Sequence, residues 1–126
     1  MKTILIAEDD KFLSSAYHIK LSKLGYEVVI VSDGEQVMKY LNEKPLPDLL
    51  LLDLVMPVKD GFTTLKEIRS QDIFKKLPII VASNLGQGED VKKAKEMGAV
   101  DYIIKSDLSL QELSDKIHSY LELIPQ

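Results

Sequence analysis

The chain contains no cysteine, which excludes disulfides and thiolate metal sites from any account of its stability or chemistry. It has no apolar stretch long enough to span a bilayer. Its opening run, Met1-Lys2-Thr3-Ile4-Leu5-Ile6-Ala7, reaches Glu8 before the apolar core of a signal peptide could form. A basic surplus is also missing: 16 Lys and Arg stand against 20 Asp and Glu, a net charge of −4, whereas a nucleic-acid surface needs clustered cations. The small basic cluster of Lys92, Lys93 and Lys95 is interleaved with Glu89, Asp90 and Glu96 and reads as a solvated helix face. His18 and His118 have no ligand-type neighbours in sequence, so they read as ordinary surface or core histidines. These absences predict a cytoplasmic protein with no nucleic-acid and no membrane partner.

What is present is an ordinary globular composition, 45% apolar and 29% charged over 126 residues, enough for one core and too little for two. The expectation is a single domain over residues 1–126. Five Leu-rich or β-branched runs recur, at Thr3 to Ala7, Glu27 to Val31, Asp48 to Leu52, Pro78 to Ser83 and Asp101 to Ile104. Between them apolar residues take helical spacing. Leu13, Tyr17, Leu21 and Leu24 stripe a first helix from Lys11 to Leu24, which Gly25 ends. Val37, Met38 and Leu41 mark a second, Phe62, Leu65 and Ile68 a third. Val91, Ala94 and Met97 mark a fourth, closed by Gly98, and Leu110, Leu113, Ile117, Leu121 and Ile124 a fifth whose stripe covers the sheet. Strands separated by helices cannot pair as hairpins, so the fold class is α/β: a doubly wound parallel sheet with right-handed crossovers and helices on both faces.

In such sheets ligands bind beyond the carboxyl ends of the strands. There the first strand ends in Glu8-Asp9-Asp10, the third in Asp53, the fourth in Ser83 and the fifth in Lys105. Taken singly, each has an innocent reading: Asp10 as a helix N-cap, Ser83 as a turn residue, Lys105 as a solvated charge, Glu8 or Asp9 as a first-turn acid. Together they pose an electrostatic problem. Two carboxylates ~5 Å apart at an effective dielectric of ~20 repel by roughly 3 kcal/mol, so three ionised ones oppose folding by nearly 10 kcal/mol. A proton or a cation must relieve this. Lys105 brings one positive charge, and carboxylate oxygens without His or Cys select Mg²⁺, with Mn²⁺ the alternative, over zinc. An acidic pocket beside a lysine and a hydroxyl is suited to a phosphoryl group, with Asp53 as the nucleophile.

Ile4-Leu5-Ile6-Ala7-Glu8-Asp9-Asp10, Leu50-Leu51-Leu52-Asp53-Leu54-Val55-Met56-Pro57-Val58-Lys59-Asp60-Gly61, Pro78-Ile79-Ile80-Val81-Ala82-Ser83 and Gly98-Ala99-Val100-Asp101-Tyr102-Ile103-Ile104-Lys105 resemble, in order and spacing, the signature blocks of the response-regulator receiver domain. The resemblance covers nearly the whole chain and implies five strands in the flavodoxin-like order 2-1-3-4-5; the general rule for doubly wound folds itself uses a chemotaxis receiver as an example of that order. It implies that Asp53 is the phosphoacceptor, charged by a sensor histidine kinase or a phosphotransfer protein. Glu8 and Asp9 match the acidic pair that holds Mg²⁺ with Asp53, Asp9 directly and Glu8 through water, with the Val55 backbone carbonyl as a further ligand. Ser83 matches the switch hydroxyl, Lys105 the lysine that pairs with the phosphoryl group, and Tyr102 the aromatic switch that turns inward when Ser83 moves. The implied protein is no enzyme beyond its own phosphoryl transfer and hydrolysis. It is a stand-alone switch of protein–protein interactions, a monomer or phosphorylation-dependent dimer acting on a downstream protein.

Two positions depart from the pattern. Asn84 follows Ser83 where the family usually has a small residue, and Ser106 follows Lys105 where it usually has a proline after a cis peptide bond. A cis bond without proline costs ~3 kcal/mol, so a trans bond and an altered lysine position are expected. Val55 and Leu85 flank the site with side chains unable to orient water, which predicts slow loss of an acyl phosphate. Gly86 and Gly88 bracket a loop expected to be mobile, and Gly61 suits a tight or positive-φ turn. Two other readings compete: a scaffold of the same fold that is never phosphorylated, and a small phosphatase with an aspartyl nucleophile. Val55 stands where such phosphatases place a second acid, and the acidic Glu8-Asp9-Asp10 opposes a nucleotide-binding loop.

Overall fold

The computed structural model describes residues 1–84 and 88–122. Each apolar run becomes a strand: β1 (Thr3–Ala7), β2 (Glu27–Val31), β3 (Leu49–Leu52), β4 (Ile79–Ser83) and β5 (Asp101–Ile104). They form one parallel sheet in the order β2-β1-β3-β4-β5. The helices α1 (Lys11–Lys23), α2 (Gly34–Glu43), α3 (Gly61–Arg69), α4 (Gly88–Glu96) and α5 (Leu110–Glu122) alternate with them. Because successive strand residues face opposite sides, the sheet builds two cores. Leu5, Leu50, Leu52, Ile79 and Val81 pack with Val37, Leu65, Ile68 and Ala94 of α2, α3 and α4. Ile4, Ile6, Leu49, Leu51, Ile80 and Ile103 pack with Tyr17, Leu21, Leu113, Ile117 and Leu121 of α1 and α5. Each fully buried Leu or Ile contributes ~1.5–3 kcal/mol, and a slip of one residue would turn a strand's two sets of side chains onto the wrong cores, so the register is strongly specified.

Several boundaries differ from expectation for local reasons. β3 begins at Leu49 because Asp48 serves as an end-piece: its carboxylate accepts from the Thr3 N–H at 2.7 Å while its own N–H donates to the Thr3 carbonyl at 2.8 Å. β4 begins at Ile79 because Pro78 has no N–H to give, although its carbonyl accepts from Leu50 N–H at 3.0 Å. Leu24 leaves the α1 stripe: it is the C-cap and is exposed, with Gly25 following at φ 95°. Gly88 opens α4 instead of ending a loop. The expectations for Leu85, Gly86 and Ile124 lie outside the described residues.

Two short 3-10 helices, Asp72–Phe74 and Lys105–Asp107, have no periodic signal in sequence. The first is held from α3 by Arg69. The guanidinium donates to the carbonyls of Phe74 at 2.8 Å, Leu77 at 2.7 Å and Gly98 at 2.9 Å, joining α3, the entry to β4 and the turn before β5. Burial lowers the pKa of that guanidinium. Lys93, read as part of a solvated face, lies 4.3 Å over the Phe62 ring in a cation–π contact.

Candidate functional site

The parallel sheet sends the carboxyl ends of β1, β3, β4 and β5 to one edge, and Glu8, Asp9, Asp10, Asp53, Val55, Ser83, Asn84 and Lys105 line one open cleft of about 390 Å³ there. Backbone bonds fix the floor. Glu8 N–H donates to Val31 and Asp53 N–H to Ala7, each continuing the ladder one step past its strand. Asp10 caps α1, its carboxylate accepting from Phe12 N–H at 3.0 Å and Leu13 N–H at 3.1 Å, as its innocent reading required.

The loop after Asp53 is shaped by one close approach and one uncommon backbone angle. A Cβ on Gly61 would stand 2.2 Å from the Asp53 carbonyl oxygen and 2.6 Å from the Leu54 Cα, so only glycine lets α3 start against the end of β3. Asp60 caps that helix, accepting from Thr63 N–H at 2.8 Å. Gly61 thus serves the tight turn expected of it, without a positive φ; the positive φ of this loop is at Val58, 66°, where Lys59 N–H donates to the Pro57 carbonyl at 2.7 Å in a γ-turn. A β-branched residue in that region is an outlier, and Val58 is 74% exposed.

Asp53 is 6% exposed and Glu8 3%. One oxygen each of Glu8, Asp9 and Asp53 lie within 4.8 Å of one another. Lys105 Nζ stands 3.3 Å from Asp53 Oδ2 and forms an ion pair with Glu8 Oε1. The second oxygen of Glu8 accepts from Asp10 N–H at 3.2 Å, and Asp53 Oδ1 from Val55 N–H at 3.3 Å. Burial raises the pKa of Glu8; the Lys105 hydrogen bond offsets part of that rise and the charge of Asp53 adds to it. Three carboxylates, one ammonium and no imidazole or thiolate make a hard-oxygen donor set, which fits Mg²⁺ or Mn²⁺.

The other named residues also assemble. Ser83 is fully buried, and its neighbour across the β4–β5 pairing, Ile104, brings Tyr102 two residues before it to the same end of the sheet. Tyr102 is buried too, so this tyrosine already sits inward. Burial raises its pKa. Asn84 is exposed at the cleft, and Val55 is 60% exposed beside it. No peptide bond among the described residues is cis, Lys105–Ser106 included, and Lys105 nevertheless reaches both acids. His18 lies outside the cleft lining, and His118 meets the Tyr26 hydroxyl.

Tyr17 is the residue that sequence reasoning left to packing alone. It is buried in the α1 stripe, yet its pKa is pushed up by burial first and then by the charges of Glu8, Asp53 and Asp10. The phenol therefore feels the acidic cluster's charge although it does not line the cleft. Its position seven residues after Asp10, two helical turns on, was the available signal.

The response regulator receiver domain family matches residues 4–118. A probable transcriptional regulator, ycf27, of Guillardia theta is 35% identical over 118 residues, covering 94% of this chain and 44% of that protein. Among solved structures, the Mn²⁺-bound form of the response regulator Rcp1 superposes with a TM-score of 0.88 at 31% identity, covering 99% of this chain and 98% of that one. The phosphorylated cyanobacterial phytochrome response regulator RcpA gives 0.82 at 32% identity, over 96% and 91% of the two chains. The chain spans about half the length of the curated relatives it matches, so they lend no support to a stand-alone regulator. Their names also run against the expectation of a protein with no nucleic-acid partner. The sheet order, the helices on both faces and the match to residues 4–118 agree: this chain belongs to the response regulator receiver domain family of two-component signalling.

Proposed function

We propose that residues 1–126 form one receiver domain in which Asp53 accepts a phosphoryl group from a histidine kinase or phosphotransfer protein. The observation that carries the reading is the buried Asp53 carboxylate, 3.3 Å from Lys105 Nζ and grouped with Glu8 and Asp9 within 4.8 Å. A carboxylate oxygen of Asp53 attacks phosphorus; the new O–P bond forms as the N–P bond to the donor imidazole breaks, and that nitrogen keeps the electron pair. Asp9 and Asp53, with Glu8 and the Val55 backbone carbonyl, would hold Mg²⁺ or Mn²⁺, and the Mn²⁺-bound Rcp1 relative supports this. The chemistry such an ion supplies is neutralisation of charge on the phosphoryl oxygens. Lys105 contributes a second positive charge at the same oxygens, and the cleft opens this side of Asp53 to a donor.

Ser83 then carries the signal. Its hydroxyl turns to a phosphoryl oxygen, and the buried Tyr102 ring repacks in answer, so that a covalent change at β3 alters packing at β5. The output is a changed protein–protein surface in a cytoplasmic setting, and no helix among the described residues is long and apolar enough to cross a membrane. The domain turns over no other substrate. The relatives named as transcriptional regulators support a second reading of the output, in which this domain controls a longer DNA-binding polypeptide. On that reading these 126 residues alone bind no duplex DNA at low salt.

Acetyl phosphate with Mg²⁺ is expected to add one phosphoryl group by intact mass, and Asp53→Asn to abolish the gain. No gain in the wild type leaves the unphosphorylated scaffold; steady phosphate release from unrelated monoesters would point to the phosphatase.

A further inference from the structure

The basic cluster on α4 separates by side in the folded chain. Lys92 turns along its own helix to Glu96, 3.9 Å away, whereas Lys93 reaches across to α3 and stands 4.3 Å over the Phe62 ring. Between the two helices lies an open groove of about 410 Å³, lined by Phe62, Thr63, Lys66, Lys93 and Met97. Its floor is apolar: α4 gives the core one fully buried side chain, the small Ala94, and Phe62 and Met97 pack against that core while remaining partly uncovered. Its walls are cationic. Lys66 and Lys93 are exposed, and neither has an ion-pair partner among the described residues. No carboxylate lines the groove, although the chain as a whole carries a net charge of −4.

We propose that this groove docks an acidic peptide segment of a partner protein, one that carries Leu or an aromatic residue between carboxylates. The apolar side chain covers Phe62 and Met97, and the flanking carboxylates meet Lys66 from α3 and Lys93 from α4. Methionine is unbranched and adapts to the side chain it receives. An exposed cation–π contact is weak, so the Lys93 ammonium gives up the Phe62 ring readily for a full negative charge. A bilayer would be met by a protruding apolar ridge and a duplex by a longer run of cations, so a concave floor with two flanking charges selects a peptide. The groove gives the protein–protein output proposed above a partner of stated chemistry, and it rests on that reading for its purpose, not for its binding. Both its walls follow strands that lead to the phosphoryl site, α3 after β3 and Asp53, α4 after β4 and Ser83.

Titration of the unphosphorylated full chain with the octapeptide Asp-Glu-Glu-Leu-Phe-Asp-Asp-Glu, followed by ¹H–¹⁵N spectra, tests this. Shifts centred on Phe62, Thr63, Lys66, Lys93 and Met97 are expected, with a Kd on the order of 1 mM. Lys66→Glu combined with Lys93→Glu should weaken binding about tenfold, because two attractions become two repulsions at exposed positions outside the Asp53 cleft. Exchanging Leu-Phe for Ala-Ala in the peptide should weaken it by a similar factor, and a counterpart with Lys for every acid should not bind. No shift in the groove at about 5 mM acidic peptide overturns the proposal, as does equal binding of the acidic and basic peptides. Binding that ignores the double variant, or shifts centred elsewhere, also overturns it. Phosphatidylserine vesicles that move the same resonances when the peptide does not would replace the peptide by a membrane surface. Should the double variant not fold, Lys66→Glu alone decides, with an expected loss of about threefold. A chain that gains a phosphoryl group on Asp53 but ignores the peptide overturns the groove alone, whereas one that binds the peptide and never gains the group overturns the phosphoacceptor reading alone.

Discussion

Asp53 and Asp101 are the same residue type at opposite edges of one sheet, and their surroundings differ in kind. Asp101 opens β5 with three donors converging on it: Tyr102 N–H at 2.8 Å, the Tyr120 hydroxyl at 2.9 Å and Lys116 Nζ at 3.0 Å. Burial alone would raise its pKa, but those hydrogen bonds and the Lys116 charge outweigh it and hold the carboxyl below its ordinary value. Asp53 follows β3 with one backbone donor and one shared ammonium, both at 3.3 Å, and with Glu8 and Asp9 crowding it. At the amino edge donors outnumber carboxylates; at the carboxyl edge carboxylates outnumber cations. The first arrangement stabilises a fold. The second is short of positive charge, which is what a site for a cation and a phosphoryl group requires.

The comparison can be broken most severely at the loop that carries Asp53. Gly61→Ala forces a Cβ against backbone that cannot yield, and should cost about 3 kcal/mol or more in urea unfolding. A loss below about 1 kcal/mol would mean that the loop is far looser than the 2.2 Å approach implies.

Next in size is the amino edge. Asp101→Asn should lose about 2 kcal/mol at neutral pH, with two charge-assisted bonds weakened. Because the folded carboxyl titrates below its ordinary value of 3.8, its contribution is complete above that value and is lost as pH falls through the lower, folded one. The deficit of the variant should therefore shrink as pH falls below the ordinary value and through the folded one, and a deficit independent of pH would assign the effect to shape instead of charge.

At the carboxyl edge the sign should reverse. Asp53→Asn removes two repulsions and one attraction, so the metal-free protein should gain about 1 kcal/mol. A comparable loss would show that Lys105 already satisfies the cluster and that the contrast with Asp101 is smaller than drawn. The smallest effect belongs to Val58→Asn, a residue type that accepts positive φ. It should stabilise by under about 1 kcal/mol, and a destabilised variant would mean that the exposed valine side chain makes contacts worth more than its backbone strain.

Much of this could be read along the chain. Leu49 to Leu52 could only be a strand covered on both faces, and each strand-ending polar residue had to emerge at the same edge once the strands were parallel. What could not be read was set by neighbours distant in sequence. Val58 has the positive φ, and Gly61 is required by the close approach of the Asp53 carbonyl. Arg69 looks like one more helix charge until carbonyls from Phe74 and Leu77 and, far along the chain, Gly98 converge on it.

The sequence by itself determined the alternation of elements and, through the ends of its strands, which acids, lysine and serine share one edge, because local periodicity and residue type suffice for these. Only the tertiary structure decided which charges pair. Lys105 lies 97 residues from Glu8, and whether its ammonium rests on Glu8, on Asp53 or between them depends on burial and oxygen-to-nitrogen distances that no spacing in the chain encodes.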